Sequence, residues 1–244
     1  MLTTIILLKA TLITSFISGV MGMGGGIVLM AVLMLLLPVK EAIILHGFIQ
    51  FFANFSRMIT HRKNIIFSII PTYFLGCSAA FSLLTISSFI PEKSWSLIFL
   101  GLICLTATIK VEKFTPSILK KGSSLLCGMI VTTAQIFAGA SGPLLDLFFI
   151  NSGLNRFEIV ATKAATQSIG HLIKIIFYLN IDSFSDLSIG PTVLVATLVC
   201  SYIGTVTGKN YLNKMTDQSF KDFSKKLLFI ISVVLIVKGL LVLV

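Results

Sequence analysis

Uncharged residues run without a break from Ala10 to Val39, and between Lys121 and Arg156 Asp146 is the only charge. Neither stretch reads as a plain membrane span. The 30 residues of the first would make a helix of about 45 Å, against a bilayer core of about 30 Å. Glycine breaks each stretch near its middle: Gly22-Met23-Gly24-Gly25-Gly26 in the first, Gly139-Ala140-Ser141-Gly142-Pro143 in the second. The pattern therefore predicts paired half-helices joined at glycine tips, over 3–21 with 25–37 and over 123–138 with 143–153. Backbone that leaves helical pairing at membrane depth must be buried in protein or line a cavity, so a broken helix is a candidate binding element.

The rest of the chain follows the same order twice. After Pro38, a helix is expected from Lys40 to Thr60, closed by the basic run His61-Arg62-Lys63. Spans over 65–89 and 94–110 come next, separated at Pro91-Glu92-Lys93, and a basic linker covers 111–121. In the second half a helix over 157–179, a span over 188–208, a basic loop through Lys226 and a last span over 227–244 complete the set. Sliding the sequence by 117 residues lays Gly22 on Gly139, Gly25 on Gly142, Glu41 on Glu158 and Gln50 on Gln167 without a gap. The expectation is two homologous membrane repeats, 1–117 and 118–244, in one membrane domain.

Composition agrees with an all-α integral membrane protein. The 244 residues are 56% hydrophobic and 11% charged, with a mean hydropathy of +1.02; a soluble domain of this size has too little interior for that apolar surface. The net charge of +10 fits basic cytoplasmic loops rather than nucleic acid. Cys77, Cys104, Cys127 and Cys200 lie in apolar runs without a CxxC spacing and read as packing residues, not metal ligands. The first twenty residues mimic a signal peptide. Lys9 interrupts their apolar run, and the segment has a counterpart in the second half, so it is kept as structure.

Charge also bears on topology. If each broken stretch crossed once, ten Lys/Arg would fall on one side and eight on the other, with Lys163 in mid-helix. If each is a hairpin that returns to its starting side, the split becomes thirteen against five, which the positive-inside rule prefers. That choice makes the two repeats inverted, each a glycine-broken helical hairpin followed by three transmembrane helices, with both termini outside and the basic loops cytoplasmic.

The helix after each hairpin bears a polar stripe. His46, Gln50, Asn54 and Arg57 in the first half fall on Lys163, Gln167, His171 and Lys174 in the second. The spacing i, i+4, i+8, i+11 puts each set on one helix face, which must avoid lipid. One such stripe could be a hydrogen-bond seam; two, related by the repeat and each beside a glycine tip, point to a substrate site. Cations and imidazoles without a carboxylate in register point to an anion. Gly24, Gly25 and Gly26, and Ser141-Gly142-Pro143, each begin a half-helix, where free N–H groups attract negative charge. Ser141 suits the N-cap and Pro143 the first turn. Gln50 and Gln167 are expected to donate to one small oxyanion at the pseudo-twofold axis. Asp146 has two readings: an ion pair with Lys163 or Lys174, or a proton-coupling carboxylate. Glu41 and Glu158 read as helix caps, and Trp95 with Lys93 as interface anchors.

These residues resemble a known family. The Gly-x-Gly-Gly-Gly break, the segment from His46 to Arg57, the run Gly142-Pro143-Leu144-Leu145, Thr162-Lys163-Ala164 and His171-Leu172-Ile173-Lys174 are similar to the TauE/SafE family of sulfite-exporter-like permeases, over nearly the whole chain. The slot shortly after the triple glycine, often proline in the family, is near Ala31 here, which bears on the shape of the first half-helix. The resemblance implies a plasma-membrane carrier of a bacterium or archaeon for small sulfur-containing anions such as sulfite, thiosulfate or sulfoacetate. No nucleotide motif is present, so an ion gradient, of protons, would drive it, and no cofactor is implied. Three other readings compete. Gly139-Ala140-Ser141-Gly142 with His171 matches the Ser–His pair of an intramembrane protease, but Gly24 fills the Ser141 slot in the first half, so the repeat explains the tip without a nucleophile and the chain reads as no enzyme. A passive anion channel would share the pocket, and a non-transporting assembly subunit would not need the stripes.

Overall fold

The computed structural model describes residues 2–21, 24–87, 92–106, 108, 116–181, 190–212 and 217–243. They form ten α-helices, with no strand among them: α1 (Leu2–Met21), α2 (Gly25–Leu36), α3 (Val39–Thr60), α4 (Ile70–Ile86), α5 (Lys93–Thr106), α6 (Ser123–Ala138), α7 (Gly142–Ile150), α8 (Arg156–Ile181), α9 (Pro191–Leu212) and α10 (Asp217–Leu243). The expected order therefore appears, with two boundary corrections. The span expected over 65–89 begins as a helix only at Ile70, after short 3-10 turns at Arg62–Asn64 and Phe67–Ile69. Pro71 sits in the first turn of α4; deeper in a helix it would remove a backbone hydrogen bond and clash with the preceding turn. The basic loop expected through Lys226 is helical from Asp217 onward. Residues 217–226 contain neither glycine nor proline, and scattered lysines do not break a helix. The end of the span expected over 94–110, most of the linker and the tip residues Gly22 and Met23 lie outside the described residues, as do the side chains of several expected loop cations, among them Arg156 and Lys209.

The helices pair across the two halves of the sequence. Alongside α3–α8 and α5–α10, the most extensive packing is α1 against α9 and α4 against α6. An offset of 117 residues carries α1 to α6, α3 to α8 and most of α4 to α9, and α10 follows α9 as α5 follows α4, so by order along the chain this set of pairs maps onto itself. Direction can be read from individual contacts. Along α3 and α8 the numbering runs in opposite senses: Gly47 lies against Ile175, and Ile66, beyond the end of α3, donates its N–H to Thr162 at 3.0 Å. In α5 and α10, Gly101 lies against Ser232 and Ile236 while Gly239 lies against Ser94 and Ile98, again antiparallel. By contrast α1 and α9 run together, with Ser15 and Ser201 hydroxyls 3.1 Å apart and Gly19 against Thr205.

Short helices follow each tip. α2 has 12 residues and α7 has 9, about 18 and 14 Å long, too short for a bilayer core of about 30 Å. The second hairpin returns to its starting end: Ile118, before α6, donates its N–H to the carbonyl of Phe148, near the end of α7, at 2.8 Å. Ile118, Phe148 and Phe149 share an apolar cluster with Ile69, and Ile66 and Leu154 pack on it. The loops bearing Arg62-Lys63 and Lys120-Lys121 thus gather at one end of the bundle.

Helix surfaces turn apolar side chains outward. Ile13, Leu75, Leu83, Val195, Ile230 and Leu241 are each exposed, on helices α1, α4, α9 and α10. Val39–Thr60, Phe67–Ile86 and Pro191–Gly208 are each long and apolar enough to cross a membrane. α3 is the most buried of those three, and with α8 it forms the centre on which the tips rest.

Candidate functional site

Each tip turns on a glycine that L residues replace poorly. Gly24 caps α2 at φ 85°, and Gly139 ends α6 at φ 75°, the region glycine enters without penalty. The second tip leans on the first hairpin: a Cβ at Gly139 would stand 2.5 Å from the Met30 sulfur of α2. The first tip reaches α3 at mid-helix. His46 Nε2 lies 2.7 Å from the Gly26 carbonyl, and a Cβ on Gly26 would come within 3.0 Å of the Gln50 amide.

Where the tips face α3 and α8 there is a cavity with about 30 Å³ open to the centre of a water molecule, room for a small polyatomic ion or two or so waters. From α3 come His46, Gln50, Asn54 and Arg57, from α8 Gln167 and His171, and from the tips Gly24, Gly26, Ser141 and Gly142. Among its lining residues Arg57 is the one side chain with a permanent charge, and no carboxylate faces it. Asn54 supports this guanidinium, accepting from Arg57 Nη1 at 3.4 Å while donating to the Gln50 carbonyl at 2.9 Å. The arrangement offers one cation and several amide, hydroxyl and imidazole groups, a donor-rich surface for a small anion.

Three of the expected site residues stand outside the lining. Gly25 packs against α1, where a Cβ would strike the Thr14 carbonyl. Lys163 is bound to Asp146 of α7 as a hydrogen-bonded ion pair. Lys174 has no exposure to solvent; its Nζ donates to the Gly139 carbonyl at 2.8 Å and lies 2.9 Å from His46 Nδ1. A carbonyl only accepts, so His46 carries its proton on Nε2, facing Gly26, and Nδ1 accepts from Lys174. One hydrogen-bonded chain thereby joins the two tips, from Gly26 through His46 and Lys174 to Gly139.

Two polar lining residues escaped the sequence reading, Ser18 of α1 and Gln135 of α6. They are 117 residues apart, so the offset that relates the stripes could have found them. Ser141 occupies the N-cap of α7, yet its hydroxyl makes no cap bond. Its Oγ, His171 Nδ1 and Gln135 Oε1 are all buried without a hydrogen-bond partner. Ser141 and His171 therefore do not form the hydrogen-bonded pair that a serine nucleophile needs.

No curated protein and no solved structure matches the chain. The family model described as sulfite exporter TauE/SafE matches residues 7–238. That match spans nearly the whole of an all-helical protein with apolar helices and an internal donor-lined cavity, and the chain belongs to this family of membrane transporters.

Proposed function

We propose that the protein is a secondary transporter carrying a small sulfur-containing anion, of the sulfite, thiosulfate or sulfoacetate class, across a bacterial or archaeal plasma membrane. The observation that carries this reading is the cavity at the two tips, which joins one guanidinium to several neutral donors and has no carboxylate in its lining. Gln50 and Gln167, one from each half, are the amides expected to hold the oxyanion. Both tips also start helices there, adding backbone N–H groups and the positive end of the helix dipole.

Alternating access would rock one half, 1–117, against the other, 118–244, around this site. Support for inverted repeats comes from the antiparallel α3–α8 and α5–α10 pairs, each joining helices that hold the same place in the order of the two halves, and from the exchange of α1–α9 with α6–α4. The shared position of the Arg62-Lys63 and Lys120-Lys121 loops supports a single basic, cytoplasmic end. Proton coupling is the expected energy source.

Flux into proteoliposomes tests the proposal, with sulfite, thiosulfate, sulfoacetate, acetate and chloride as the panel. Saturable uptake of a sulfur oxyanion, accumulated when a pH gradient is imposed and lost in Gln50→Ala/Gln167→Ala, is the expected result. Uptake that never saturates and never exceeds equilibrium would make the protein a channel. Unchanged flux in the folded double variant would remove the amides from the site.

A further inference from the structure

We infer that Gln135 is a substrate-binding, specificity-determining residue that supplies a third glutamine amide to the anion from the α6 side alone. The inference rests on the transport reading above. Gln135 is 1% exposed and lines the cavity with Gln50 and Gln167. Its Oε1 is buried without a partner, and among the described residues its amide makes no hydrogen bond to the protein. An oxyanion cannot donate to that oxygen, which lies toward Gly170; what the side chain offers a ligand is its Nε2 end, two amide hydrogens without a protein acceptor beside a donor-lined cavity, and buried donors are nearly always paired. The fit is also specific. Gly170 of α8 leaves the space in which the amide lies: a Cβ there would stand 2.5 Å from Oε1.

The position matters because the site is otherwise close to twofold. Gln50 and Gln167 are alike under the offset of 117, whereas the counterpart of Gln135 is Ser18, which cannot reach as far or donate two hydrogens. The pocket thus holds three glutamine amides and Arg57, with the third glutamine on one side, while the Asn54 amide is spent on the Gln50 carbonyl and Arg57. A sulfur oxyanion head turns three oxygens in three directions and meets donors on every side of the pocket, while a planar carboxylate turns two in one plane and meets the α6 side less well. A site that hydrogen-bonds a group discriminates against an analogue lacking it, so Gln135 sets the preference for the three-oxygen head.

Two variants test this, Gln135→Leu inside the cavity and Gly170→Ala, which displaces the amide from outside the lining. Proteoliposome flux of sulfite and of acetate gives half-saturation for each, and thermal unfolding in detergent is followed with and without sulfite. Loss of one hydrogen bond to a charged ligand should raise half-saturation for sulfite about ten- to a hundredfold in Gln135→Leu. Acetate should change less, and the anion-free unfolding temperature should stay the same or rise, since an unpaired buried amide has been removed. Gly170→Ala should shift sulfite half-saturation in the same direction. Sulfite half-saturation within twofold of wild type in both variants would overturn the inference, as would equal losses for sulfite and acetate. The comparison is run on whichever of sulfite, thiosulfate and sulfoacetate the wild type carries; a wild-type protein that moves none of the three would instead overturn the transport reading itself.

Discussion

Asp146 and Lys163 provide a perturbation whose size follows from their surroundings. The pair ties the nine-residue α7 to the central helix α8, and its side chains are 17% and 8% exposed. Removing one member strands the other charge in a poorly solvated site, at a cost of about 3–5 kcal/mol, whereas replacing both by apolar residues of similar volume is often neutral or stabilising. Asp146→Asn should therefore lower the folded-to-unfolded ratio by roughly two to more than three powers of ten, and Lys163→Met by a similar factor. Asp146→Leu/Lys163→Met should return to within about 1 kcal/mol of wild type. Reversible unfolding of the four proteins in mixed detergent micelles measures the cycle. Neither residue lines the cavity, so saturable sulfite flux should survive in the double variant, with its response to a pH gradient intact. Simple addition of the two single losses in the double variant would refute the clamp. A well-folded double variant that still exchanges anion but no longer accumulates it under a pH gradient would instead make Asp146 the coupling carboxylate.

Two further outcomes follow from the geometry. Lys174 holds the second tip directly and the first through His46 without facing the cavity, so Lys174→Met should cut the maximal sulfite flux more than tenfold while moving KM less than about threefold; each broken hydrogen bond to a charged donor carries about 1.5–3 kcal/mol, and a tenfold rise in KM at unchanged maximal flux would place the ammonium against the anion instead. In α6, a Cβ at Gly128 would stand 2.2 Å from the Tyr73 carbonyl of α4, which is backbone and cannot swing aside, so Gly128→Val should cost about 1–3 kcal/mol of stability in the same unfolding assay, and an unaltered protein would show that α4 and α6 do not touch there.

Much of the fold was legible because its strongest signals are local. The glycine breaks, the run lengths and Pro38 place α1, α2, α3, α6 and α8 to within a few residues. What failed was also local but weaker. Pro71 lies inside an apolar run, where hydropathy alone sees one continuous span, yet it displaces the start of α4 to Ile70. The lysines of 217–226 suggested a loop because charge was read as solvent, although a helix can carry charge as readily as a loop. The meeting of α3 with α8 at the pseudo-twofold axis was expected, but the partners of the outer helices were not readable: α1 meets α9, nearly the length of the chain away, through close approaches at Gly19 and Gly204 that no spacing rule announces.

The site shows a different limit. Spacing places His46, Gln50, Asn54 and Arg57 on one face, and Lys163, Gln167, His171 and Lys174 on its counterpart, and both faces do turn inward. Periodicity reports only the direction in which a side chain leaves the helix, so it assigned all eight to one task. In the structure they divide by what each head group meets along that direction. Gln50, Asn54, Arg57, Gln167 and His171 end at the cavity. Lys163 stops at Asp146. Lys174 passes behind the lining to the Gly139 carbonyl, and His46, itself at the cavity edge, spends both ring nitrogens on Gly26 and Lys174. Two of the three cations expected to face the anion are thus occupied in holding the short helices and tips. The arrangement is physically economical: one free guanidinium attracts a small anion and still lets it leave, whereas three unpaired cations in so small a cavity would repel one another when it is empty and hold the anion too tightly when it is full.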